Sequence, residues 1–180
     1  MITSLINPLT IEYKNFKSHV LSNQFQWYWL DNTVLNSSND FGFYQQEILK
    51  RPEDPQAQYH QSNYLPIAYK IYGQILSYNN LPQPKPYRIC VNCTHSTVTN
   101  DLSPLHTDHP YPHNNLLIYL TPTYGGETIV ESVPYHGQEN DVILFNGEHC
   151  MRPPNQQRRI VIVYTFPQDT EQAVEKPVEN

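Results

Sequence analysis

Leu105-His106-Thr107-Asp108 is the stretch that decides the fold and the chemistry predicted for this chain of 180 residues. His106 and Asp108 are two residues apart, so an extended backbone places both side chains on one face, whereas a helix would turn them roughly 200° apart. Pro104 and Pro110 flank the pair, and proline is poorly tolerated inside a helix. We therefore predict a short extended segment that presents one imidazole and one carboxylate side by side.

A third residue, His149, is predicted to join this pair. It follows the apolar segment 142–145 and an Asn146-Gly147 turn, so the next strand can bring it alongside. Two imidazoles and one carboxylate form the facial set that holds Fe(II) and leaves positions open for substrate and oxygen. His95 follows a predicted strand and is a second cavity candidate. The remaining histidines lie in helical, loop or turn segments, at positions 19, 60, 109, 113 and 136.

Composition favours one loop-rich β domain. The chain has 14 Tyr and 16 Pro, a mixture that suits short strands joined by turns better than a helical bundle. The formal net charge is −6 and no basic stripe is present, so nucleic acid is not the expected partner. No apolar run approaches the ~20 residues of a membrane span and no leader opens the chain. These features predict a cytoplasmic protein without membrane contact.

The cysteines are predicted to be packing thiols. Cys90 and Cys93 are three residues apart on a predicted strand, so they would face opposite sides and could not bind one metal ion. The chain has no second CxxC motif, and the third cysteine, Cys150, is isolated in sequence. A free cysteine usually behaves as a small buried apolar residue.

The periodicity of the chain divides it into two parts. Residues 1–85 form a helical and mixed support with helices at 9–21 and 63–79, and residues 86–166 form a β core. The two parts together make one domain, 1–166, followed by a mobile acidic tail, 167–180. Short strands so regularly interrupted by turns predict a sandwich or jelly roll. The predicted strands are 24–30, 41–44, 87–94, 104–108, 115–121, 126–133, 140–146 and 157–166, with a loop at 51–63.

The chain resembles the 2-oxoglutarate- and Fe(II)-dependent oxygenase superfamily. The similarity is to the prolyl 4-hydroxylase-like branch, which includes small stand-alone phage and bacterial members, and it covers residues 87–166. An HxD motif alone is common by chance. In the family order, HxD is followed by a histidine about forty residues on and then by an arginine on the last strand. The resemblance is carried by His106-Thr107-Asp108, 117–120, 125–128, 145–149 and 158–166.

This resemblance implies a double-stranded β-helix with helical buttresses. It also implies His106, Asp108 and His149 as iron ligands, with Fe(II), 2-oxoglutarate and O2 as cofactors and ascorbate as a possible reductant. The implied reaction is hydroxylation of a prolyl residue or a related amino acid, in a peptide or a small molecule. Tyr119 is implied to help bind 2-oxoglutarate.

The arginine that binds 2-oxoglutarate is predicted to be Arg158. Arg158 and Arg159 are adjacent, so on a strand only one can enter the cavity. The relatives place this arginine nine residues after the distal histidine, which selects Arg158 and puts Tyr164 in the same row as a cavity residue. Where many relatives have a cavity tyrosine, this chain has Asn92 or Thr94, and these two are further cavity candidates alongside His95.

Other functions fit parts of the same pattern. One is a non-catalytic jelly-roll binding module, or a cupin-like metal protein with different chemistry. Another is a dioxygenase that modifies a nucleobase or a small metabolite, because one fold hosts many reactions. A visible charge-transfer band on anaerobic addition of Fe(II) and 2-oxoglutarate would distinguish the oxygenase from a binding module.

Overall fold

The computed structural model describes residues 1–34, 40–57 and 62–168. This part of the chain forms two helices and ten strands. The helices are α1 (Ile11–Val20) and α2 (Leu65–Tyr78), and the strands are β1 (Thr3–Leu5), β2 (Tyr28–Leu30), β3 (Phe43–Leu49), β4 (Arg88–His95), β5 (His113–Tyr119), β6 (Thr128–Val130), β7 (Val133–Tyr135), β8 (Val142–Asn146), β9 (His149–Met151) and β10 (Arg158–Pro167).

The strands form two antiparallel sheets. The larger has seven strands in the order β1-β8-β5-β10-β4-β3-β2, and the smaller has three in the order β7-β6-β9. Residues of both sheets line one cavity between them. This is a jelly roll of the double-stranded β-helix type, mainly β with helical buttresses, as the sequence predicts.

The two helices cover the outer face of the larger sheet. Apolar residues recur at helical spacing along both helices and meet the outward rows of the central strands. Thr10 begins α1 by accepting a hydrogen bond from the backbone N–H of Tyr13. The buried contacts include Phe16 of α1, Ile75 of α2 and Ile162 of β10. The predicted helices are therefore confirmed, and they support the sheet from behind.

Several predicted boundaries differ from the structure. The segment 104–108 contributes only one isolated bridge, between His106 and His149. The segment 126–133 divides into β6 and β7, because Glu131 and Ser132 adopt positive φ angles of 49° and 69° in the turn between them. Helix α2 begins two residues later than predicted, at Leu65, and Tyr64 before it makes no side-chain cap hydrogen bond. The predicted loop 51–63 lies partly, and the predicted tail 167–180 mostly, outside the described residues.

The cysteines are free and buried, as predicted. Cys90 packs in the apolar cluster on the cavity side of β4, and Cys93 packs in the cluster on the helix side. Their opposite directions follow from the strand period of two. No helix of the described residues is long and apolar enough to cross a membrane.

Tyr164 provides a test of this packing. Its hydroxyl donates a hydrogen bond to the Ala68 carbonyl at 3.1 Å, and its ring stacks on Tyr72. We expect Tyr164→Phe to lower the free energy of unfolding by about 1 kcal/mol, because one buried hydrogen bond is lost. Tyr78→Phe, at an exposed ring, should leave the free energy of unfolding unchanged. Denaturant titration measures both, and equal stabilities would contradict the contact.

Candidate metal centre

A pair of backbone hydrogen bonds brings the two predicted histidine ligands together. The N–H of His106 donates to the carbonyl of His149 at 3.0 Å, and the N–H of His149 donates back at 2.9 Å. The imidazole rings are 4.5 Å apart between centroids. One possible ligand atom from each of His106, Asp108 and His149 lies within 4.8 Å of the others. The structure thus places the three predicted ligands around one point, at a spacing that suits a metal ion.

In both histidines, the hydrogen bond made by Nδ1 determines that Nε2 is the nitrogen available to a metal ion. His106 Nδ1 lies 2.9 Å from the Pro104 carbonyl oxygen, and His149 Nδ1 lies 3.3 Å from that of Gly147. A carbonyl oxygen only accepts hydrogen bonds, so each Nδ1 carries the proton. Each Nε2 is left with a free lone pair, which is the form a metal-binding histidine requires. Burial lowers the pKa of His149, which keeps its ring neutral.

The two oxygens of Asp108 have different neighbours. Oδ2 faces His149 Nε2 at 3.4 Å, while Oδ1 accepts a hydrogen bond from Arg88 Nη1 at 3.2 Å. Burial alone would raise the pKa of Asp108, but attraction to His149, which is protonated in the acid range where Asp108 titrates, and to the permanently charged Arg88 outweighs burial and holds the pKa at about 2. One carboxylate oxygen is therefore available to a metal, and the other is held by a guanidinium. Two neutral imidazoles and this carboxylate fit Fe(II), Mn(II) or Zn(II).

A buried arginine lies in the same cavity. Arg159 is 2% exposed, and its Nη2 donates to Thr128 Oγ1 at 2.6 Å. Its Nη1 lies 3.5 Å from the Met151 sulfur, its Cζ lies 5.4 Å from the centre of the Tyr119 ring, and its Nε has no hydrogen-bond partner. Among the described residues, no carboxylate lies within ion-pair distance of Arg159. A buried cation without a counter-charge is costly, so this position favours an anionic ligand.

The prediction that Arg158 and Tyr164 line the cavity is wrong. Arg158 is exposed at the start of β10, whereas Arg159 lines the cavity with Val161 and Val163. Tyr164 points to the helices. The reason is the pairing of β10 with β5, which sets Val161 opposite Tyr119 and so turns the odd-numbered row of β10 towards the cavity.

Of the other predicted cavity residues, Asn92 and Thr94 lie on the cavity face of β4, and His95 does not. Asn92 lines the cavity, and its Oδ1 accepts a hydrogen bond from Gln45 Nε2 at 2.9 Å. Thr94 is buried on the same strand face as Asn92, where its hydroxyl donates to the carbonyl of Arg159 at 3.4 Å. The candidacy of His95 is wrong: its ring is exposed on the opposite strand face and packs 5.5 Å from Tyr44.

The sequence analysis missed two arginines of the cavity, Arg51 and Arg88. Arg88 is buried and approaches Glu47 at 3.9 Å as well as Asp108. Arg51 Nη2 lies 3.6 Å from Asp108 Oδ1, and burial together with the charge of Arg88 lowers the pKa of Arg51. Arg88 could have been found, because the strand period of two sets it in one row with Asn92. Arg51 lies outside the strands and carries no such signal.

The network around Asp108 yields a prediction about stability. We expect Asp108→Asn to lower the free energy of unfolding of the metal-free protein by about 3 kcal/mol, because the buried Arg88 loses its nearest counter-charge. The pKa of Asp108 is below its ordinary value of 3.8, so the loss should be complete above pH 4 or so and shrink as the pH falls towards 2. Denaturant titration across this range measures it.

The control for this measurement is Asp101→Asn, at an exposed carboxylate, which should leave the free energy of unfolding unchanged. Equal stabilities of the Asp108→Asn variant and the unaltered protein would show that the Arg88 contact contributes nothing.

Comparison with known proteins identifies the fold. No protein-family model and no curated protein matches the sequence. Among solved structures, the chain is similar to an oxidoreductase of the 2OG-Fe(II) oxygenase family from Burkholderia pseudomallei, with a TM-score of 0.60 and 13% identity over 94% of this chain and 86% of that one. It is also similar to the viral collagen prolyl hydroxylase of Paramecium Bursaria Chlorella virus-1 in its 2OG complex, with a TM-score of 0.56 and 11% identity over 93% and 96%.

A third similar structure is a prolyl hydroxylase from Trichoplax adhaerens in complex with a peptide fragment of hypoxia inducible factor. Its TM-score is 0.53, with 14% identity over 92% of this chain and 83% of that one. The three structures cover 92–94% of this chain. The chain therefore has the fold of the 2-oxoglutarate- and Fe(II)-dependent oxygenases.

Proposed function

We propose that this protein is a 2-oxoglutarate-dependent oxygenase that uses one non-haem Fe(II). One observation carries the proposal. The cavity contains both a two-histidine, one-carboxylate cluster and a buried arginine that lacks a counter-charge among the described residues. The first suits Fe(II) and the second suits a carboxylate, and 2-oxoglutarate needs both.

The proposed iron ligands are His106, Asp108 and His149. Bound iron would supply the activation of O2, with 2-oxoglutarate as the source of two electrons. In the proposed reaction, one oxygen atom of O2 would enter a C–H bond of the substrate as a hydroxyl, and the other would enter succinate as CO2 is released. The chain contributes ligand geometry: each Nδ1–H bond to a carbonyl holds its ring, and Arg88 holds the carboxylate.

Arg159 is the proposed partner of the distal carboxylate of 2-oxoglutarate. Two neutral imidazoles and one carboxylate leave an Fe(II) site with a net charge of +1, and a doubly negative co-substrate changes it to −1. A guanidinium balances this charge and fits a carboxylate with two parallel hydrogen bonds. Thr128 and Tyr119 hold the arginine in place, and their own hydroxyls are hydrogen-bonded to each other at 2.7 Å.

The proposed substrate class is a prolyl residue or a related amino acid, in a peptide or a small molecule. Two of the similar structures are prolyl hydroxylases, and one of them is in complex with a peptide fragment. The support for this substrate class is similarity of fold, and one fold can host many reactions. The product would be heavier by one oxygen atom, and mass spectrometry of proline peptides and free amino acids would detect it.

The iron site is tested by substitution. We expect His106→Ala and His149→Ala each to abolish the charge-transfer band that Fe(II) and 2-oxoglutarate form without oxygen, and to abolish succinate formation in air. The reason is that each change removes one of three ligands. His95→Ala and His136→Ala are matched controls outside the cluster and should retain both signals. A normal band in His149→Ala would refute the assignment, and no band in the unaltered protein would favour the binding-module function.

The co-substrate site is tested with the two adjacent arginines. Arg159→Gln should weaken 2-oxoglutarate binding by about 2–5 kcal/mol, because the bound carboxylate loses its charged partner. Arg158→Gln removes the same charge from an exposed position and should leave the apparent 2-oxoglutarate constant unchanged. Titration of the charge-transfer band measures both. The opposite order would mean that β10 is shifted by one residue in solution.

A further inference from the structure

Three arginines line the cavity, and they belong to two separate ends of it. Arg159 is paired with Thr94 on β4, whereas Arg88 lies six residues earlier on the same strand, roughly 20 Å away along the backbone. Arg51 accompanies Arg88, since both approach Asp108 Oδ1. One molecule as small as 2-oxoglutarate, anchored on Arg159 and the metal ligands, leaves Arg51 and Arg88 on the opposite side of the cluster.

The charges of the cavity do not balance without a further anion. Three arginines, Arg51, Arg88 and Arg159, line the cavity, while the nearby carboxylates are Asp108 in the cavity and Glu47 beside Arg88, which leaves one positive charge. The two positive charges of a bound Fe(II) and the two negative charges of a bound 2-oxoglutarate cancel, so the one unbalanced positive charge of the cavity remains. Glu53, the acidic residue closest to Arg51 in sequence, is turned to His109, with which it makes a 3.2 Å contact.

The Arg51 guanidinium is free to form hydrogen bonds and is partly exposed, whereas Arg88 is buried and donates to Asp108. Its 3.6 Å approach to Asp108 is too long for a hydrogen bond, and the oxygen that it faces already accepts one from Arg88. The Arg51 guanidinium makes no hydrogen bond to any residue in the described ranges. Its side chain is 39% exposed while it lines the cavity, so it stands where a substrate would enter.

Asn92 lines the middle of the cavity, since along β4 it is four residues from Arg88 and two residues from Thr94, the partner of Arg159. Asn92 accepts a hydrogen bond from Gln45 through Oδ1, which orients the amide and leaves its NH2 group able to donate. Other residues that line the cavity, such as Phe43 and Val163, offer apolar contacts only. The Arg51 guanidinium in a partly apolar cavity suits a carboxylate attached to a small carbon skeleton, and the Asn92 amide farther along the cavity can donate to another polar group.

On the basis of the proposed function, we propose that the substrate carries a carboxylate, which Arg51 binds, while Arg88 holds the iron ligand Asp108. The single unbalanced charge favours a group with one negative charge over a phosphate. The carboxylate is either the terminal group of an amino acid or peptide, or the side chain of an acidic residue.

The test uses two matched panels, the N-acetylated forms of the twenty amino acids as free acids and as primary amides. In the amide panel only the aspartate and glutamate members keep a carboxylate, so the panels separate terminal from side-chain recognition. Binding is measured by saturation-transfer NMR on protein loaded with Zn(II) and 2-oxoglutarate, where no turnover occurs. Stimulation of succinate formation is measured with Fe(II) in air.

Acids should bind at least about tenfold more tightly than their uncharged amides, as expected for loss of one charged hydrogen bond. Arg51→Gln should reduce this preference to near unity, and Arg51→Lys should restore part of it. Arg158→Gln is the matched control outside the cavity and should keep the full preference.

Equal binding of acids and amides would overturn the inference, and so would an acid preference that survives Arg51→Gln or a panel in which nothing binds. The proposed function is judged separately, by the charge-transfer band and by succinate formed without any panel member. If both are present while the acids fail, the oxygenase stands and the carboxylate substrate does not. If both are absent, the oxygenase itself fails.

Discussion

The structure depends on one constraint, the burial of β10 on both faces. This strand lies at the centre of the larger sheet, between β4 and β5. Successive residues of a strand point to opposite sides, so one row of β10 must pack against helices while the other faces a cavity. Ile160, Ile162 and Tyr164 form the helix row, and Arg159, Val161 and Val163 form the cavity row. One face of β10 therefore packs against the helices in the core, and the other face lines the site.

The neighbours of Arg159 in the cavity explain why a buried arginine is tolerated at this position. Burial of a guanidinium costs free energy unless donors and charges are matched. The Thr128 hydroxyl and the Tyr119 ring meet part of this requirement, while Nε stays without a partner. This incomplete match is consistent with the anion-binding role that we propose for Arg159.

Sequence reasoning succeeded where the signal is local and failed where it is not. The two helices, the central strands and the group His106, Asp108 and His149 follow from periodicity and from spacing across one turn. The choice between Arg158 and Arg159 does not, because both rows of β10 are apolar and the pattern has the same appearance in either register. The register is fixed by the pairing of β10 with β5, a contact between residues more than forty positions apart.

The arrangement around Asp108 links the two ends of the cavity. Its Oδ2 faces the histidines and its Oδ1 faces Arg88 and Arg51, so one carboxylate serves both the candidate metal and the arginine pair. A bound cation would draw charge from the carboxylate and weaken its attraction for the arginines. Arg88 also approaches Glu47 at 3.9 Å, whereas Arg51 has no second carboxylate within ion-pair distance among the described residues. Metal loading would thus free Arg51 for an incoming anion, so that an anionic substrate and the metal would favour each other's binding.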